Sequence, residues 1–273
     1  MKVIEQMLAR YPAGDRHHAM REVMQEIALA GLQRGGFFDK AAFYGGTCLR
    51  IFHDLPRFSE DLDFSLLEAD EQFALQPYFA ALQAEFSAFG FEVEIVARNK
   101  TVKSAVVSAF LKQGTSIYEV RVASQRVLKI KFEVDTDPPG GFATEERLLL
   151  QPYSFYVKCY ALPDLFAGKL HAVLFRRWKN RVKGRDWFDF EWYVRGGVPL
   201  KLAHLEQRAR QSGDWQEGAL KPEDLRGLLR DRIQTLDVAQ ARHDVLPFVQ
   251  TPAALDIWSK RYFLDLLDRI AFA

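Results

Sequence analysis

Apolar residues fall at helical spacing through 18–34, where Met20, Val23, Met24, Ile27, Leu29 and Leu32 share a period that Gly35-Gly36 ends. A leading helix is predicted there. From Phe43 to Leu67 the pattern shortens to a brief strand, a Gly45-Gly46 turn, a helix over Thr47–Phe52, a loop marked by Pro56, and a strand over Asp61–Leu67. Residues 70–89 read as helical despite Pro77 and stop at Gly90. Alternating, strand-like runs follow at Phe91–Ala97, Ala105–Leu111, Ile117–Val122 and Leu128–Asp135, with Gln113-Gly114 as a turn. Pro138-Pro139-Gly140-Gly141 is the strongest breaker in the chain. Beyond Pro163 the pattern is almost wholly helical, over Asp164–Trp178, Trp187–Val194, 220–235 and Leu255–Ile270. The expected organisation is an α+β domain over 1–160 followed by a helical domain over 161–273.

Composition narrows the class. The chain has 273 residues, 48% of them hydrophobic, with 37 Lys and Arg against 36 Asp and Glu. That is the profile of a globular protein, neither disordered nor fibrous. A net charge of +1 excludes attraction of the whole protein to nucleic acid or an anionic membrane, so polyanion binding has to come from a local patch. No window approaches the ~18 consecutive apolar residues that span a bilayer. The first residues also lack the apolar core of a secretion signal, so a cytoplasmic protein with no membrane partner is expected. Cys48 and Cys159 stand far apart and in no CxxC spacing, which points to two reduced, buried thiols.

The chemistry concentrates between Phe43 and Phe64. Two glycines ahead of a helix let the backbone approach a phosphate closely, and the first free amides of that helix, with the Thr47 hydroxyl, can donate to its oxygens. Many such runs are plain turns, so the acidic pair that follows matters more. Residues i and i+2 of a strand share a face, which lets Asp61 and Asp63 converge on divalent ions while Leu62 and Phe64 face the core. Glu92 and Glu94 form a similar pair, but no glycine turn precedes them, and they read as a polar sheet face. Arg50 and Arg57 lie close to the Asp61/Asp63 pair, an arrangement suited to holding metal and polyphosphate together. A third carboxylate comes from the run Lys129–Asp135, whose alternation puts Lys129, Lys131, Glu133 and Asp135 opposite Ile130, Phe132 and Val134. Glu133, central in its strand, is favoured over Asp135, which sits where the chain turns.

Between 169 and 185 stand seven basic residues and no acid: Lys169, Arg176, Arg177, Lys179, Arg181, Lys183 and Arg185. This is the one strongly basic segment in a neutral chain, and RNA is its natural client. Lys169, Val173 and Arg176 share a helical face. No His has metal-ligand spacing with another His or a Cys, and neither a GxSxG elbow nor a Walker A motif is present. Zinc hydrolase, serine hydrolase and P-loop readings therefore lose support.

Taken together, GGTCLR over Gly45–Arg50, RFSEDLDF over Arg57–Phe64, the KIKFEVD strand, and DLFAGKLHAVLFRRWKNRVKGRD ending at Asp186 resemble the AbiEii/AbiGii-type nucleotidyltransferase toxins. These are a branch of the DNA polymerase β-like nucleotidyltransferases, and the resemblance covers roughly residues 40–195. It implies a bilobed α+β protein with a polymerase β-like core, a mixed sheet and a helical C-terminal lobe completing the active-site cleft. It also implies a toxin of a toxin–antitoxin or phage-defence pair, with a cognate antitoxin, that transfers a nucleotide to an acceptor such as a tRNA 3′ end. Thr47 departs from the commoner Gly-Ser of the wider superfamily but keeps the hydroxyl. By the same resemblance Lys169 offsets triphosphate charge and Asp186 serves the active site from the helical lobe. Asp189 is read as support.

The expected reaction follows. Asp61, Asp63 and Glu133 hold two Mg²⁺ ions, for which Mn²⁺ can substitute, while Gly45, Gly46, Thr47, Arg50 and Lys169 bind the NTP. Arg176, Arg177, Lys179, Arg181, Lys183 and Arg185 contact RNA. Nucleotidylation of a protein or small molecule, and a non-catalytic RNA-binding module, are the alternatives.

Overall fold

The computed structural model describes residues 2–97, 115–123, 128–176 and 182–273. The expected strand Ala105–Leu111, the Gln113-Gly114 turn, and Arg177, Lys179 and Arg181 lie outside the described residues. The chain forms two compact units. The first comprises Met1–Asp54, Phe58–Pro138 and Thr144–Cys159; the second comprises Leu55–Arg57, Pro139–Ala143 and Tyr160–Ala273.

The first unit begins with helices α1 (Lys2–Leu8) and α2 (Arg16–Arg34), then strand β1 (Ala41–Tyr44), helix α3 (Gly45–Phe52) and strand β2 (Leu62–Leu66). Helix α4 (Phe79–Ala88) follows, and then strands β3 (Glu92–Ala97), β4 (Thr115–Ala123), β5 (Leu128–Asp135), β6 (Thr144–Leu149) and β7 (Phe155–Tyr160). The seven strands make one mixed sheet in the order β3-β4-β5-β2-β1-β7-β6. Strand β2 runs antiparallel to β1 and parallel to β5, so it is paired on both sides.

Alternation sorts the faces of this sheet. Phe43, Phe64 and Phe132, from three neighbouring strands, are fully buried on one side with Phe37. The Phe64 ring lies 4.9 Å from Phe37, 5.3 Å from Phe43 and 6.1 Å from Phe132, centroid to centroid. These rings anchor the core on which β2 rests. Asp63, Lys131 and Glu133 take the other face and stay partly exposed.

Helix α4 corrects one expectation. It does not run from 70 but starts at Phe79, after a 3-10 turn at Gln76–Tyr78. Pro77 lacks an N–H and its ring collides with the carbonyl four residues back, so it is accepted only in an opening turn. Strands β6 and β7 have no counterpart in the hydropathy reading; in β6 the charged edge sequence TEERLL buries little and imitates a loop.

The second unit is helical: α5 (Leu162–Phe175), α6 (Gly184–Arg195), α7 (Leu202–Gln211), α8 (Pro222–Gln234), α9 (Val238–Val245) and α10 (Lys260–Leu267). Gly184 lets α6 press on α9, since a Cβ there would run into the Ala241 carbonyl. Arg232 on α8 donates to the carbonyls of Val173 (3.1 Å) and Arg176 (2.9 Å), closing the end of α5. The expected helix Leu255–Ile270 is broken. Ser259 is extended and caps α10 by accepting from the Tyr262 amide at 3.1 Å, while Trp258 turns inward and donates to Glu191 at 2.6 Å. Among the described residues no helix is long and apolar enough to cross a membrane.

Because Phe64 is fully buried against the rings of Phe37, Phe38, Phe43 and Phe132, Phe64→Ala should cost about 3–5 kcal/mol, read as a shift in the urea unfolding midpoint. A loss below about 1 kcal/mol would mean that the aromatic cluster does not anchor β2.

Candidate functional site

Backbone register builds the acidic site. Tyr44 of β1 stands opposite Asp63 of β2, and Asp63 stands opposite Glu133 of β5. Two predicted ligands are thereby neighbours on adjacent strands. Asp61 lies one residue before β2, not inside the strand as the pattern suggests, and is partly exposed. Asp135 is the last residue of β5, is buried, and its carboxylate accepts from the Asp137 amide at 3.3 Å.

Gly45 joins the turn to this row. Its φ of +82° favours glycine, and a Cβ at this position would collide with the Asp63 carboxylate. The first turn of α3 therefore passes directly over Asp63 and presents the early amides of Gly45, Gly46 and Thr47, which have no earlier helical carbonyl to bond. Thr47 differs from expectation. Its side chain is fully buried and its hydroxyl donates to the Asp61 carbonyl, so that single proton is committed to the loop and not to a phosphate.

Helix α2 clamps the same loop. Gln25 donates to the carbonyls of Ser59 (3.2 Å) and Glu60 (2.9 Å), and Arg21 pairs with Glu60 at 2.7 Å. Arg50 sits 4.8 Å over the Phe58 ring and bonds Glu22 at 2.9 Å, while Tyr11 donates to the other oxygen of Glu22 at 2.9 Å. In the structure Arg50 thus ties α3 to α2. None of these α2 partners carries a local sequence signal, because a buried polar residue on a helix reads as an interruption of the apolar face.

The donor chemistry of Asp61, Asp63 and Glu133 is all hard oxygen, which fits Mg²⁺. Among the described residues, however, no group of three or more His, Cys, Asp or Glu side chains is already arranged around a metal position. Glu133 is instead ion-paired with Lys131.

A second charged cluster lies in the helical unit. Lys169 on α5 contacts Asp186 at 2.9 Å and Asp189 at 2.8 Å, and Arg176 contacts Asp186 at 2.9 Å. Arg57, expected beside the acidic pair, instead forms two 2.6 Å bonds to Asp189, with side-chain exposures of 2% and 0%. A buried guanidinium needs a planar, bidentate carboxylate, and Asp189 supplies it across 132 positions of sequence. Asp186 falls in the first turn of α6 and is not its cap, which is Lys183. Burial pushes the Asp186 carboxyl upward, but Lys169 and Arg176 outweigh it and hold the group far below the usual carboxylate range. Burial alone would lower the Lys169 ammonium; Asp186 and Asp189 reverse that and raise it. Of the basic run, Arg185 stacks 4.2 Å from the Phe248 ring.

Ser212, His171 and Asp214 also meet, but Ser212 and Asp214 lie 2.9 Å and 3.7 Å from the same His171 nitrogen. A charge-relay triad places its nucleophile and its carboxylate on opposite ring nitrogens, so two partners on one nitrogen are not that arrangement.

Solved structures share this mixed-sheet fold. A protein from H. pylori described as a candidate nucleotidyltransferase superposes with a TM-score of 0.52 at 19% identity, covering 94% of this chain and 92% of that one. MenT4, a nucleotidyltransferase toxin from Mycobacterium tuberculosis H37Rv, superposes with a TM-score of 0.51 at 15% identity, covering 99% and 98%. No curated protein matches the chain. The family model for the nucleotidyl transferase AbiEii toxin of type IV toxin–antitoxin systems matches residues 27–266, and the chain belongs to that family. It is therefore a nucleotidyltransferase toxin that uses a nucleoside triphosphate and has an antitoxin counterpart, and the non-catalytic alternative falls away.

The shifted groups of the second cluster fix a pH window. Asp186 is depressed, so its stabilisation is present above its unfolded value near ~3.9 and is lost as pH falls through the lower folded value. Lys169 is raised, so its share is present below ~10.4 and is lost as pH rises through the folded value. Asp186→Asn should destabilise the protein by roughly 3 kcal/mol at pH 7 and by progressively less below pH ~4. Urea unfolding of both proteins at pH 7 and pH 3 measures this; an equal difference at the two pH values would mean that ionic pairing is not its source.

Proposed function

We propose that this toxin transfers a nucleotide from an NTP to an RNA hydroxyl, specifically the 3′ end of a tRNA, in the bacterial cytoplasm and releases pyrophosphate. The observation that supports a phosphoryl-transfer centre most directly is the row Tyr44–Asp63–Glu133 with the Gly45 turn over Asp63. Asp61, Asp63 and Glu133 would hold two Mg²⁺ ions, or Mn²⁺ in their place. Bound there, the metal supplies Lewis-acid stabilisation of charge on the transferring phosphate.

The chain's own groups do the rest. Early amides of α3, at Gly45, Gly46 and Thr47, donate to phosphate oxygens. The acceptor oxygen bonds to the α-phosphorus, the bond from that phosphorus to the β-bridging oxygen breaks, and pyrophosphate carries away the electron pair. The acceptor's proton passes to a carboxylate of the acidic row. Lys169 offsets triphosphate charge and Asp186 sets its position, consistent with their 2.9 Å pairing. RNA is favoured as acceptor because the basic run from Arg176 to Arg185 is the chain's concentration of positive charge, and because the family is one of toxins. Blocking even a few tRNA ends stops aminoacylation and hence translation.

Incubating the protein with Mg²⁺, each labelled NTP and purified tRNA should label the tRNA, and Asp63→Ala should reduce labelling by about a hundredfold or more with the fold retained. Labelling of protein instead of tRNA would move the acceptor assignment; undiminished labelling by a folded Asp63→Ala would remove Asp63 from the site. Expression in a bacterium should arrest growth, and expression of Asp61→Ala should not.

The basic run has its own readout. Neutralising Arg177, Lys179 and Arg181 together should weaken tRNA binding and flatten its dependence on salt by up to about three units of log–log slope. An unchanged slope would show that these residues do not meet the RNA backbone.

A further inference from the structure

Transfer chemistry asks for carboxylates on the exposed sheet face; it does not ask for the cation that stands among them. Lys131 lies two residues before Glu133 on β5, so strand alternation puts both on the face that carries Asp63. Its ammonium is paired with the Glu133 carboxylate while 41% of the side chain stays exposed. The charges of Asp61 and Asp63 also act on it. Register holds Asp63 against Glu133 whatever their charge, so the repulsion between them falls on whatever cation is at hand.

We propose that Lys131 is a displaceable counter-cation of the acidic row. It neutralises Glu133 before metal arrives and releases it when a divalent ion and a triphosphate bind, its ammonium then pairing with phosphate oxygens. This rests on the reading that Asp61, Asp63 and Glu133 are the metal ligands. No bond forms or breaks and no proton moves, since the lysine remains an ammonium throughout. Without nucleotide the ammonium competes with metal for Glu133. With nucleotide present it has a new anionic partner, so metal and NTP bind with positive coupling. A plain surface ion pair would contribute little and would leave metal affinity unchanged.

The test is Mn²⁺ titration of the full chain, with free Mn²⁺ read by electron paramagnetic resonance, in the absence and presence of the α,β-methylene analogues of the four NTPs. Lys131→Met and Lys131→Gln should each bind Mn²⁺ about fivefold more tightly than the wild type without nucleotide, and the further tightening by nucleotide should shrink. Lys131→Arg should behave as the wild type. Unchanged or weaker Mn²⁺ binding by the folded Met and Gln variants overturns the proposal. So does unfolding of both, checked by circular dichroism, which would make Lys131 a structural residue. Asp63→Ala separates the two levels of inference. If it binds Mn²⁺ as the wild type does, the metal-site reading fails; if it loses Mn²⁺ while the Lys131 variants show no gain, only the role given to Lys131 fails.

Discussion

Two carboxylates, Asp63 and Glu133, are held side by side by the backbone pairing of β2 with β5, a ladder indifferent to side-chain charge. Like charges so placed repel, and the surrounding structure serves to tolerate that repulsion. Beneath them Phe64 and Phe132 are fully buried and stacked, so neither strand can slip its register without turning an aromatic ring out of the core. Above them Gly45 brings backbone amides over Asp63 where any side chain would collide. Beside them Lys131 brings a positive charge to Glu133. Core, turn and counter-charge are three responses to one constraint.

The helical unit meets the opposite condition. Arg57, Lys169 and Arg176 face Asp186 and Asp189, one more cation than anion, and most of the cluster is buried. Buried ion pairs are weak contributors to net stability because desolvation offsets their attraction, whereas removing one partner strands the other. Such a cluster fixes geometry. Lys169 cannot leave both carboxylates without cost, and that makes its ammonium a placed charge and not a snorkelling one.

How far the sequence reveals this depends on the range of each interaction. The β2 and β5 faces were legible because alternation is a local property, and so were α2, α3 and the helices around Lys169 and Asp186. The preference for Glu133 over Asp135 is a reading of position along one strand alone. Strand β6 was not legible, since TEERLL has the polarity of a loop and is a strand only by pairing at the sheet edge. The break before α10 was equally hidden, because it depends on Trp258 reaching Glu191, 67 residues away. Arg57 shows the limit most clearly. Its neighbours in sequence suggested phosphate, and its partner 132 residues distant shows a buried structural charge.

The polar side chains nearest the glycine turn are engaged in building the site. Thr47 holds the Asp61 carbonyl, Arg50 bonds Glu22 and covers Phe58, and Arg57 is sealed against Asp189. What the turn itself can offer a phosphate is therefore mainly backbone: the early amides of an eight-residue helix whose Tyr44 cap gives no side-chain bond. Backbone amides cannot be replaced by mutation of a side chain, only displaced by adding one. That explains why the position of this turn most sensitive to substitution should be Gly45, where a methyl group meets Asp63, and why the hydroxyl at Thr47 matters through the carbonyl it fixes. The sequence signature of two glycines, a hydroxyl and two acids is thus a description of one folded object: a helix start pinned to a strand start, with the hydroxyl as the pin and the missing Cβ as the clearance.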